Sequence, residues 1–177
     1  MMSPDPVNDP QAYQRLLLGL LGHDDPAAVQ EGTPSALRGL VDEAGGDLRR
    51  RPEPAEWSVV EIVGHITDAE LVSSGRYRWI IAHDTPPIPS YDQDRWVERL
   101  RHREAQPEEF LALFTALRTG NLDLWRRTPT SERSRYGVHD ERGPESYELT
   151  FRLIAGHDRF HLAQARRTLA RIRPSAA

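Results

Sequence analysis

An all-α fold, a bundle of about four main helices joined partly by long crossovers, is predicted by three observations. Helix-opening and helix-ending residues recur along the chain, the apolar residues between them keep helical spacing, and alternating β-branched runs are almost absent. At 177 residues the chain reads as one domain over its whole length, with no internal repeat or low-complexity tract.

Asp9-Pro10 opens a first helix through about Gly22, with Leu16, Leu17, Leu20 and Leu21 as its apolar face. Asp25-Pro26 opens a short helical turn that Gly32 ends, and Thr33-Pro34 caps another segment. In that segment Leu37, Leu40, Val41 and Leu48 keep helical spacing until Gly45-Gly46 and Pro52 weaken it. The clearest start is Trp57-Ser58-Val59-Val60-Glu61-Ile62, where Ser58 and Glu61 form a capping box and Trp57 staples to Ile62. This helix runs to about Ala82 on a stripe of Ile62, Ile66, Ala69, Ser73, Arg76 or Tyr77, and Ile80, with His65 one turn from Ile62 and Ala69.

Asp84-Thr85-Pro86-Pro87-Ile88-Pro89 cannot continue a helix and predicts a rigid extended loop, followed by a short helix around Arg95 to Leu100. Gln106-Pro107-Glu108-Glu109 opens the next long helix, with Phe110, Leu113, Phe114, Leu117, Leu124 and Trp125 inward and Gly120-Asn121 as a weak point. Thr128 to Glu145, with Pro129, Gly137, Gly143 and Pro144, reads as a crossover loop carrying a hairpin. Ser146 caps a last helix whose Tyr147, Phe151, Ile154, His161, Ala165 and Thr168 share a stripe, and Pro174 ends it. The whole is a four-helix bundle with long crossover connections and an extra N-terminal helix.

Composition narrows the chemistry. The net charge of −4 argues against a nucleic-acid partner. With no cysteine the chain has no thiol nucleophile, disulfide or iron–sulfur ligand, and its 23 basic residues are all arginine, which excludes Schiff-base catalysis and a P-loop lysine. Met1-Met2-Ser3-Pro4-Asp5-Pro6 lacks a basic leader region, and Leu16 to Leu21 is too short for a membrane span, so a cytoplasmic protein without a membrane partner is expected.

Histidine is then the soft ligand of interest. His157 and His161 stand four apart on a helix, where two imidazoles can converge on one ion. Both lie beside the inward stripe Phe151, Ile154 and Ala165, and His65 lies on the inward stripe of another helix. Three inward histidines on two helices are best explained by a shared ion. A zincin-like reading, with Asp158 as base, loses most of its weight because no His, Asp or Glu follows His161, so a third ligand must come from upstream. His23, His83, His102 and His139 fall at helix ends, in a charged run and in a loop, and are not expected to touch an ion.

Three stretches carry a family resemblance: Trp57-Ser58-Val59-Val60-Glu61-Ile62-Val63-Gly64-His65-Ile66-Thr67-Asp68; Asp84 to Ile88 with Tyr91-Asp92-Gln93-Asp94-Arg95-Trp96; and His157 to His161. Over about residues 33 to 170 the chain resembles the DinB-like superfamily, and within it the YfiT-type group of metal-dependent hydrolase-like proteins. The resemblance implies a metal triad of His65, His157 and His161, a crossover between the second and third main helices, and a homodimer. Related thiol-transferase members use a low-molecular-weight thiol such as bacillithiol or mycothiol.

Three neutral imidazoles suit a divalent metal, zinc or nickel first and then iron, which can activate water or an incoming thiol. The expected function is therefore a metal-dependent enzyme acting on a small-molecule substrate, either an S-transferase using an external thiol or a hydrolase. The alternative is a non-catalytic, stress-associated metal-binding or dimerisation module. Asp68, one turn after His65, and Asp158, next to His157, are candidates to orient a ligand or accept a proton, against the plain reading of solvated carboxylates. Tyr91 and Asp92 are candidates to close the pocket mouth, with an N-cap at Asp92 or Asp94 as the alternative. If the reaction uses a carboxylate-bearing thiol, that carboxylate needs an arginine nearby, for which Arg76 or Arg159 are the candidates.

Overall fold

Asp9 and Asp25 each accept a backbone N–H from the first turn of a helix that opens on proline: α1, Pro10–Leu21, and α2, Pro26–Ala44. The computed structural model describes residues 9–173; the N-terminal residues read above for a leader, and Pro174, lie outside them. The further helices are α3, Val59–Ala82; α4, Gln93–Arg99; α5, Pro107–Arg127; and α6, Tyr147–Ile172. Glu61 closes the capping box of α3 by accepting from Ser58 N–H at 2.8 Å and from Ser58 Oγ at 2.6 Å.

The bundle consists of α2, α3, α5 and α6. Both α2 and α3 pack along α5 and α6 but touch each other little, so these two consecutive helices stand diagonally across the bundle. The α3–α5 crossover carries β1, Pro87–Ile88, and α4. The α5–α6 crossover carries the expected hairpin of β2, Tyr136–His139, and β3, Gly143–Ser146. β1 pairs in parallel with β2, which ties both crossovers into one small sheet at the bundle side. No helix among the described residues is long and apolar enough to cross a membrane.

Two expected breaks are absent. α2 runs unbroken through Gly32, Thr33 and Pro34. Pro34 brings no N–H for the carbonyl of Gln30, and that carbonyl accepts instead from Arg118 Nη1 of α5 at 3.1 Å. Thr33 spends its hydroxyl on Asp158 Oδ2 at 2.7 Å rather than on a cap. Nor is Gly120-Asn121 weak: Asn121 is buried and donates to Glu70 Oε1 and Ser74 Oγ of α3 at 2.8 and 2.6 Å. Leu113, expected inward, is 45% exposed, and Leu111 fills the core beside the expected Phe114.

The bundle interior is layered. One apolar cluster joins Leu37, Val59, Ile62, Phe114 and Leu169; another joins Tyr77, Ile80, Trp125, Tyr147 and Phe151, where Trp125 stacks on Phe151 at 4.0 Å. Between them, every main helix turns polar residues inward: Gln30 and Thr33, then Glu70 and Ser73, then Arg118 and Asn121, then His157 and Asp158. Buried polar groups require partners, and this middle layer holds the candidate site.

α1 lies against α6, and Gly156 lets it come close: a Cβ there would stand 2.1 Å from the Leu17 carbonyl oxygen. The extra helix is thereby fixed to the side of α6 that carries Gly156, Arg159 and Phe160, and its Leu17 lines one cavity with His157.

Candidate metal centre

His65 projects from the second turn of α3, and His157 and His161 project from successive turns of α6. Their Nε2 atoms converge: His65 to His157 is 3.0 Å and His65 to His161 is 3.2 Å. All three side chains are buried, and among the described residues they form a group whose ligand nitrogens lie within 4.8 Å of one another. Trp57 walls the group, its ring 5.0 Å from that of His65 and 6.4 Å from that of His161.

Burial is the main cause that holds all three imidazoles below their ordinary range, His161 down to about 4 and His65 and His157 well below. They are neutral at pH 7, as metal ligation requires. His161 Nδ1 lies 2.7 Å from Gln164 Oε1, so Nδ1 carries the proton and Nε2 presents a lone pair. His157 Nδ1 is buried without a partner. A proton on His65 Nε2 can serve only one of its two neighbours well, whereas nitrogens at these separations can each stand ~2.0–2.1 Å from one cation. The donor set therefore fits a metal ion.

A cavity of about 110 Å³ reaches the triad at His65 and His157. Its middle is apolar, with Leu17 of α1, Ala69 of α3, and Leu153 and Ile154 of α6. At its far end stand Arg76, Tyr91, His139, Arg142 and Glu145. Glu145 accepts from Arg142 Nε at 2.7 Å and Thr150 Oγ1 at 2.9 Å; burial opposes its ionisation, but Arg142 outweighs it and holds the carboxyl below the usual range. His139 is pushed down to about 4, first by burial and then by Arg142 and Arg76. Burial raises the phenols of Tyr13 and Tyr91, which keep their protons.

The other sequence candidates divide. Tyr91 lines the cavity, but Asp92 caps α4, accepting from Arg95 N–H at 2.9 Å. Neither aspartate is a solvated carboxylate, and each is engaged elsewhere. Asp68 Oδ2 lies 2.6 Å from His102 Nε2, and His102 sits so close over Gly64 that a Cβ there would meet its ring at 2.6 Å. Asp158 is held by Arg118 and Thr33 on the face of α6 turned from the triad partners. Arg76 lines the cavity, whereas Arg159 is spent on the Leu20 and Leu21 carbonyls and Asp24 at the end of α1. His102, expected in a charged run, and His139, expected in a loop, are both buried. Only the pairing of distant segments reveals this, although His139 alternates in step with Gly137 on β2.

Over 138 residues, 76% of this chain and 77% of the relative, the protein is 28% identical to YfiT of Bacillus subtilis (strain 168), which is designated a metal-dependent hydrolase. OB0782 of Oceanobacillus iheyensis, with the same designation, is 28% identical over 134 residues, 75% of this chain and 77% of the relative. The solved structure of Bacillus subtilis YfiT, described as a four-helix bundle of unusual topology, superposes with a TM-score of 0.78 at 24% identity, covering 86% of this chain and 88% of that one. That likeness establishes the shared fold. The sequence profile of the DinB superfamily matches residues 30–165, spanning the four bundle helices and all three triad histidines but not α1. The chain belongs to the DinB superfamily.

Proposed function

We propose that this protein is a metal-dependent hydrolase in which His65, His157 and His161 hold one divalent cation, zinc or nickel before iron. The observation that carries the reading is the convergence of three neutral Nε2 atoms beside a cavity that His65 and His157 line. The designations of the relatives agree with it. Bound to three neutral imidazoles, such an ion keeps its full charge and supplies a nucleophile at neutral pH from water or a thiol.

The chain's own residues supply the rest. Gln164 fixes the His161 tautomer, Trp57 lies against the His65 and His161 rings, and the cavity reaches His65 and His157 along a passage beside Ala69 and Ile154. The apolar walls keep that passage at low dielectric, where a charge developing near the triad interacts strongly. With Asp68 and Asp158 engaged in pairs of their own, neither is assigned proton transfer.

The test is metal analysis of protein purified without nickel resin. One ion per wild-type chain and loss of the ion in His65→Ala and His161→Ala are expected, together with a fall in melting temperature on chelation, since an ion at a hundred times its Kd contributes about 2.7 kcal/mol. Unchanged metal content in both variants overturns the triad. Activity is read in two arms: hydrolysis of a p-nitrophenyl ester, and conjugation of monochlorobimane to added bacillithiol. Conjugation without hydrolysis would replace hydrolysis by thiol transfer.

A further inference from the structure

Arg76 is 7% exposed, yet among the described residues no carboxylate pairs with it. Its hydrogen bonds all pass through one nitrogen: Nη2 donates to the Pro89 carbonyl at 2.7 Å and lies 3.3 Å from His139 Nε2. Its Nε is buried with no partner. A guanidinium has five N–H donors and keeps its charge in proteins, so leaving one buried against a neutral carbonyl and a neutral imidazole is costly unless an anion completes it. The obvious internal anion is already taken, because Glu145 is held by Arg142 and Thr150. Arg76 and His65 line the same cavity from one helix. Eleven residues at ~1.5 Å rise put their Cα atoms about 16 Å apart, and the tilt of helical side chains toward the N-terminus brings the guanidinium back toward the triad.

We infer that Arg76 is the seat for a carboxylate of the substrate: the cavity takes a monocarboxylic acid whose apolar chain lies along Leu17, Ala69, Leu153 and Ile154, with its reacting group at the triad. One unpaired cation balances one negative charge, which favours a monocarboxylate over a phosphate dianion. The position of the reacting group rests on the metal-dependent reading above; the carboxylate seat rests on Arg76 alone.

Calorimetric titration of the purified protein with hexanoate and with hexanamide, its neutral counterpart, tests this. Hexanoate is expected to bind at least tenfold more tightly, and Arg76→Met, shown to be folded by circular dichroism, is expected to lose that preference. Equal affinities in the wild type overturn the inference, as does an undiminished preference in Arg76→Met. Should that variant not fold, inorganic phosphate decides on the wild type: weaker binding than hexanoate supports the seat, and equal or tighter binding overturns it. Folded His161→Ala is expected to keep the preference while losing metal. Loss of the preference there would place the carboxylate on the ion and overturn the inference. A wild type that holds no metal but prefers hexanoate would sink the metal-dependent reading and leave the seat standing.

Discussion

Arg118 and Arg76 are both buried, and the chain treats them differently. Arg118 places Nε and Nη2 on Glu70 at 3.0 and 2.8 Å, Nη1 and Nη2 on Asp158 at 2.6 and 3.2 Å, and Nη1 on the Gln30 carbonyl at 3.1 Å. That is five hydrogen bonds for five N–H groups. Around it, among the described residues, Gln30 Oε1 and the Tyr77 hydroxyl are left without a partner, but every N–H of the guanidinium is engaged. Burial works against its charge, but the two carboxylates outweigh it and hold the guanidinium above its ordinary range. Arg76 has two contacts through one nitrogen, and along the same cavity three imidazoles face one another with their lone pairs. A buried polar cluster that closes on itself positions helices; one that does not close marks where a ligand belongs.

The widest separation of the two regions should come from Arg118→Met. Removing the guanidinium strands two buried carboxylates, and breaking such a network costs about 3–5 kcal/mol. Chemical denaturation should register a loss of that order, while the folded fraction still binds metal, because no triad nitrogen bonds to Arg118. A loss below about 1 kcal/mol would show that the Arg118 cluster is not the structural one.

This contrast also explains what could be read from the chain alone. The triad and the Ser58–Glu61 box were legible because their parts lie within a turn or two of each other, or on periodic inward stripes. The continuity of α2 was not, since the group that replaces the missing Pro34 N–H comes from Arg118 on another helix. Asp158 shows the same limit. Its neighbour His157 suggested a place near the triad, but residues one apart on a helix point about 100° apart, and Asp158 faces Arg118 instead. The cavity's polar end needed β1 to pair with β2, which brings His139 beside Arg76 across 63 residues.

Acid should act on the two regions with opposite sign. His139 and His161 are held down to about 4, below the ~6.5 of an unfolded histidine. Below pH 6.5 the unfolded chain takes up protons that the folded chain refuses, so stability present above that pH is lost as it falls toward 4, by about 1.4 kcal/mol per pH unit for each group. Burial raises the Asp158 carboxyl, against the pull of Arg118, so its contribution grows as pH falls. Denaturation of chelated protein between pH 6 and 4.5 should show the histidine slope winning, and His139→Gln should lessen it by about 1.4 kcal/mol per unit. An unaltered slope would mean that His139 does not stay neutral in the folded chain.

The smallest effect expected is also the most selective. Gln164 touches the site only through His161 Nδ1 and is half-buried, so Gln164→Ala should move stability by no more than about 0.5 kcal/mol. Without it, the proton of His161 is free to sit on either nitrogen, and the tautomer with Nε2 protonated cannot ligate. Loss of such an orienting partner weakens metal affinity about tenfold to a hundredfold. Competition against a chelator of known affinity would measure that loss, and Gln164→Glu, which keeps an acceptor at the same place, should restore most of it. Wild-type affinity in the alanine variant would mean that the α6 backbone alone sets the His161 ring, leaving the open cluster as rigid as the closed one.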